Sequence, residues 1–243
     1  MQAPRKAVDF DVIAQAWQIF VKEPGTFILG TTPLIGYFIL NLAVSFAFAG
    51  AGAFLGMGGG SEAAAIGFAG GQILLNIVIS ILGLFVTGYT VGVLGTMALN
   101  SIKGRPAGEN AFAAAGSRIF SLTGLYFLTA LAAGIGAIFC LLPGILIAGL
   151  LLPSVGFLLN DNAPVFRSME ESWNAMKPYL WVAAGLVVVL YLIIALGSLL
   201  CYLGLLVAYP LFVIACIQIY ANLTGLQPCT VQAQSGISPY PRT

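Results

Sequence analysis

Histidine is missing from this chain altogether. That removes the commonest general base and the commonest metal ligand. Charge is scarce as well: 7% of the residues are charged, where a soluble domain carries about 25%. A chain so short of charge has no surface to offer water, whereas a membrane protein needs none over the hydrocarbon. The net charge of +1 makes no case for nucleic acid, which calls for a basic patch or stripe. The four cysteines, Cys140, Cys201, Cys216 and Cys229, show no C-x-x-C spacing and no metal signature. A cleavable leader is not expected either, because Asp9, Asp11 and Glu23 separate Lys6 from the first apolar run.

What the chain has is hydrophobic residues, 60% of the total, gathered in long uncharged runs. A helix needs about 20 residues to cross the hydrocarbon. On that measure six spans are predicted, at about 26–49, 72–98, 119–140, 144–160, 179–200 and 205–222. The glycine-rich segment between the first two is expected to be an outer loop. Leu142-Pro143-Gly144 is expected to turn the chain between the third and fourth, and the stretch around Cys201–Gly204 between the fifth and sixth. The fold class is therefore all-α: a polytopic membrane protein of six helices in three hairpins. Residues 1–224 form a single membrane domain, and 225–243, polar and without apolar period, read as a disordered cytoplasmic tail.

All nine Lys and Arg fit on one side of such a bundle. Arg5, Lys6 and Lys22 precede the first span; Lys103, Arg105 and Arg118 follow the second; Arg167 and Lys177 follow the fourth; Arg242 follows the sixth. Basic residues beside spans mark the cytoplasmic side, so both termini are expected there.

Two of the cytoplasmic segments look alike. Phe10, Ile13, Ala14, Trp17 and Phe20 recur at helical spacing before the first span, and Phe166, Met169, Trp173 and Met176 before the fifth. In each, Trp follows Phe by seven residues, and a Lys and a Pro come shortly after: Lys22 and Pro24, Lys177 and Pro178. Such amphipathic helices suit the cytoplasmic interface, anchored by Trp17, Lys22, Trp173 and Lys177. A fainter version holds Phe112, Ala115 and Ile119. Three parallel repeats follow, about 8–100, 107–161 and 163–224.

No Asp, Glu, Lys or Arg falls within a predicted span, which weakens the case for a proton-coupled transporter. The intramembrane polar candidates are Asn41, Asn76 and Gln218; Asn41 and Asn76 could pair. Interhelical hydrogen bonding is the favoured role and a solute path the alternative. Gly88, Gly92 and Gly95 form a small-residue face for close helix packing, read as internal rather than as a dimer seam. Cys140 and Cys201 stand at matching outer ends, which leaves a disulfide open beside ordinary apolar packing.

The run from Cys140 to Lys177 resembles bacterial integral membrane families of unknown function, themselves similar to the membrane region that precedes the catalytic domain of some glycerophosphodiester phosphodiesterases. The residues that carry the resemblance are Leu142-Pro143-Gly144 and, beyond the next helix, Ser168, Ser172, Trp173 and Lys177. The resemblance implies a six-helix fold in a bacterial inner membrane. It implies no activity, since the catalytic domain has no counterpart here.

No nucleophile has a visible base, and no phosphate-binding loop joins a strand to a helix. The expectation is a non-catalytic membrane protein, without metal or cofactor, that organises lipids or membrane partners. The lipid bilayer is its partner, and protein partners or a homo-oligomer stay open. The alternative is a carrier of small solutes or lipids with a central cavity between three hairpins. Mitochondrial carriers share that outline, but their Pro-x-Asp/Glu-x-x-Lys/Arg motif is absent from this sequence.

Overall fold

Backbone amides in hydrocarbon must find partners within their own helix or in a closed barrel, and this chain uses helices. The computed structural model describes residues 8–57, 62–139, 141–199 and 204–226, at 53–57, 62–67, 141 and 199 by backbone alone. Among them the order is α1 (Asp11–Lys22), α2 (Pro24–Gly30), α3 (Thr32–Met57), α4 (Glu62–Ile102), α5 (Ala111–Ser117), α6 (Ile119–Phe139), α7 (Leu141–Leu150), α8 (Ser154–Asn160), α9 (Val165–Met176), α10 (Leu180–Leu199) and α11 (Leu205–Thr224), with no strand. Six stretches are long and apolar enough to cross a membrane: Thr32–Gly52, Phe68–Ile102, Ile119–Phe139, Leu142–Asn160, Val165–Ser198 and Leu205–Thr224.

Two local expectations are corrected. The glycine-rich segment is helix on either side of 58–61, because α3 runs to Met57 and α4 begins at Glu62. Glycine costs a helix about 1 kcal/mol relative to alanine, but an unsatisfied backbone group in hydrocarbon costs several. Nor does Leu142-Pro143-Gly144 turn the chain; it lies in the first turn and a half of α7, where Pro143 needs no amide partner. Gly144 is instead a contact point. A Cβ there would stand 2.8 Å from the Ala137 backbone nitrogen and 2.9 Å from the Ala133 carbonyl oxygen of α6. Gly197 and Gly204 approach equally closely where α10 meets α11.

The core gathers on α11 and the second half of α4. Every residue of α11 from Val213 to Leu223 is buried, as are Val93, Leu94, Met97 and Ala98 of α4. α11 packs against α1, α4, α8 and α10. At the opposite extreme stands α3, whose most apolar 18-residue window is 6% buried against 67% for that of α11; its main neighbour is α4.

One end of the bundle collects basic residues, tied together by hydrogen bonds. The Ala107 amide donates to Glu23, next to Lys22, at 3.3 Å. Lys103 donates to Asn160 at 2.6 Å. Arg118 donates to the Leu158 and Leu159 carbonyls at the end of α8, at 3.0 and 3.4 Å, and to Asn162. Arg105 lies in the same α4–α5 loop, and Arg167, on α9, follows the α8–α9 loop.

α1 meets the rest of the chain along one side. Val12, Ala16, Ile19 and Phe20 are buried, while Phe10, Ala14 and Trp17 are exposed. On α9 the buried residues are Ser168, Ser172 and Met176, while Phe166 and Trp173 are exposed. Counted from Phe10 and from Phe166, Val12, Ala16 and Phe20 match Ser168, Ser172 and Met176. The rings of Phe10, Trp17, Phe166 and Trp173 are left outside, while that of Phe20 turns inward.

Candidate functional site

A cavity of about 220 Å³ lies beside α11, walled by α4, α6, α7, α8 and α10. Its existence follows from a broken helix. Pro153 has no amide to give the Gly149 carbonyl, so α7 stops at Leu150 and α8 starts afresh at Ser154. The freed carbonyls find other donors. The Leu152 amide reaches the Gly149 oxygen at 3.4 Å, the Ser154 hydroxyl bonds to the Leu151 oxygen at 2.6 Å, and the Ser172 hydroxyl, from α9, bonds to the Leu150 oxygen at 2.7 Å. Broken helices survive in membranes only where serine or threonine side chains, water or neighbouring helices satisfy the backbone in this way. Leu151, Leu152, Ser154 and Val155, all at the break, line the cavity.

The lining has no charge. It is mostly aliphatic, with hydroxyls of Thr129, Ser154, Tyr126, Tyr191 and Tyr209 set among it. Two of these, Thr129 and Tyr209, are buried with no hydrogen-bond partner. An unsatisfied buried hydroxyl costs about 1–3 kcal/mol, so a pair of them in one cavity marks a place that wants polar atoms. Tyr126 on α6 and Tyr191 on α10 line the same cavity and are also 40% and 56% exposed. Both therefore join the cavity lining to the exposed surface.

None of the polar residues singled out from the sequence lines this cavity. Gln218 is buried on α11, where its amide donates to Gln15 of α1 at 2.7 Å and, more weakly, to Asn222 at 3.4 Å. Its own carbonyl oxygen has no partner. Asn41 is half-buried on α3; its amide reaches the Tyr37 hydroxyl at 3.5 Å, and it also lines a groove of about 470 Å³ beside α3. Asn76 is exposed on α4, so the two asparagines do not pair. Sequence reasoning missed the cavity hydroxyls because Tyr126, Thr129 and Tyr209 sit in runs indistinguishable from any apolar span. The one available signal was Pro153, a helix breaker inside a predicted span.

The glycines sit at helix crossings. A Cβ on Gly88 would stand 2.8 Å from Thr123 Cα of α6, one on Gly92 2.3 Å from Leu122, and one on Gly95 2.6 Å from Leu159 of α8. Trp17 and Trp173 are exposed, as are Lys22 and Lys177. Cys140, Cys201 and Cys229 lie outside the described residues; Cys216 is buried and free.

At the basic end, Tyr220 of α11 donates to Asp161 at 2.9 Å and accepts from Asn160 at 2.7 Å. This joins α11 to the α8–α9 loop. Glu109 contributes its backbone oxygen to Asn100 at 2.8 Å. Among the described residues no three carboxylate or thiol groups stand together as metal ligands. Comparison of the chain with protein families, with curated proteins and with solved structures found no match.

Proposed function

We propose that this chain is a non-catalytic protein of a bacterial inner membrane that takes an uncharged lipid, or a small lipid-like molecule, from the bilayer into the cavity beside α11. The observation that carries this reading is the pair of buried, unpartnered hydroxyls on Thr129 and Tyr209 in an uncharged cavity. A ligand with an ester, ether or hydroxyl oxygen would satisfy them, and its apolar part would rest on the aliphatic lining. An ionised ligand finds no counter-charge there and would suffer full desolvation. Entry from the side, past Tyr126 and Tyr191, suits a molecule already dissolved in the bilayer.

The membrane setting belongs to the same proposal. The six spans pair as three hairpins, with the basic end in the cytoplasm and both termini on that side. Three packed pairs support it, α3 with α4, α6 with α7 and α10 with α11. α1 and α9 lie at the cytoplasmic interface, supported by the exposed rings of Phe10, Trp17, Phe166 and Trp173. The matching burial of α1 and α9 supports a repeat that relates the first unit to the third.

The test is to purify the full chain from membranes into lipid nanodiscs and identify retained lipids by mass spectrometry. One uncharged lipid species enriched over the bulk is expected, and its loss in Tyr209→Phe together with Thr129→Val. Retained lipid that mirrors the bulk membrane would overturn the reading. Enrichment of an anionic lipid at the basic end, unchanged by these substitutions, would favour a surface organiser.

A further inference from the structure

The polar residues of α3 and α4 present a problem the single chain leaves unsolved. On α4, Gln72, Asn76 and Ser80 follow one another at four-residue spacing and are all exposed. Four-residue spacing keeps side chains on one face of a helix. On α3, Tyr37, Asn41 and Ser45 have the same spacing but are served within the chain: Tyr37 donates to the Ile79 carbonyl at 3.2 Å, Asn41 reaches Tyr37, and Ser45 donates to the Asn41 carbonyl at 2.8 Å. Among the described residues, the side chains of Gln72 and Asn76 have no comparable bond.

Gln72 and Asn76 fall inside the apolar span Phe68–Ile102. A primary amide moved from water into hydrocarbon without a partner is strongly disfavoured, and polar side chains within apolar spans turn toward other protein. The glycines that could have served as a seam are already used, since Gly88, Gly92 and Gly95 pack on α6 and α8. Gly70 and Gly71, by contrast, have nothing among the described residues within 4 Å of a Cβ. They allow another backbone to come close beside Gln72.

The chemistry of the stripe says what covers it. Each amide has two donors and an acceptor, so the stripe complements itself, and it bears no charge that would ask for an opposite one. A twofold axis along the membrane normal keeps the topology of both copies and sets every residue at the depth of its counterpart. Gln72 then meets Gln72 of the second copy, and Asn76 meets Asn76. We propose that two copies of this chain pair along α4 through Gln72, Asn76 and Ser80.

The experiment counts copies. Full-length protein with one fluorophore per chain is reconstituted in phosphatidylethanolamine–phosphatidylglycerol vesicles at falling protein density, and bleaching steps are counted. Two-step bleaching is expected for the native chain, shifting to one step in the double variant Gln72→Leu, Asn76→Leu, with association weakened by roughly tenfold or more. Both positions are exposed, so leucine leaves the fold intact, checked by an unchanged melting curve. Single-step bleaching of the native chain at every density would overturn the proposal. So would dimers that survive the double variant, or that are lost instead on Asn41→Leu alone.

Discussion

The hydroxyl of Ser172 donates a 2.7 Å hydrogen bond to the carbonyl oxygen of Leu150, across the break between α7 and α8. Both groups are buried, and the carbonyl is free because, past the break at Pro153, the Ser154 amide bonds to Leu151 instead. Ser172→Ala leaves that oxygen unpaired at an expected cost of about 1–3 kcal/mol. Ser172→Thr keeps the hydroxyl and is expected to recover part of the loss. Unfolding in mixed micelles with rising dodecyl sulfate measures both.

Glycine substitutions separate contact from propensity. Gly88→Ala drives a methyl group to within 2.8 Å of Thr123 Cα, a backbone atom that cannot turn aside. A loss of about 1–3 kcal/mol is expected, as for overpacking generally. Gly134 sits on α6 with nothing within 4 Å of its Cβ position, so Gly134→Ala is expected to gain up to about 1 kcal/mol of helix propensity. Paired melting curves decide, and equal effects would contradict the close crossing of α4 and α6.

Tyr209→Phe tests the cavity from the side of stability. Removing an unpartnered buried hydroxyl relieves about 1 kcal/mol or more in protein stripped of lipid. In protein that retains its ligand the same change removes a bond. Opposite shifts in melting temperature before and after delipidation are therefore expected. The same shift in both states would mean that nothing pairs with the hydroxyl.

Gln15 and Gln218 join α1 to α11. A double-mutant cycle with leucine at each is expected to give a coupling of about 0.6 kcal/mol, and no more than about 1.7. Because the Gln218 carbonyl oxygen has no partner of its own, Gln218→Leu alone is expected to cost less than Gln15→Leu alone. The reverse order would place an unseen partner on that oxygen.

The long helices were legible because hydrophobic length alone decides them: α6, α10 and α11 begin or end within two residues of their expected bounds. The break between α7 and α8 was not expected, because the run from 144 to 160 is long enough to read as one span. Pro143 sits in a first turn, where it is harmless, and Pro153 sits where its missing amide matters. The side of α1 that meets protein was not legible either. Periodicity finds an apolar stripe but not whether lipid or protein covers it, and Trp17 proved to be on the exposed side. The cavity was not legible at all, since residues of six helices line it and no one residue pattern marks it.

α4 runs for 41 residues, and 35 of them, Phe68–Ile102, form one apolar stretch. At 1.5 Å per residue that stretch is about 52 Å long, against a hydrocarbon thickness of about 30 Å. The neighbouring spans α6 and α11 have 21 and 20 residues and match that thickness upright. No single slab of constant width fits both lengths: either α4 leans beyond the usual range of tilt or the lipid stretches locally to meet it. The annulus around this one helix is thus mismatched on one flank only, and the protein is expected to gather where longer acyl chains lower the strain, sorting itself by membrane thickness.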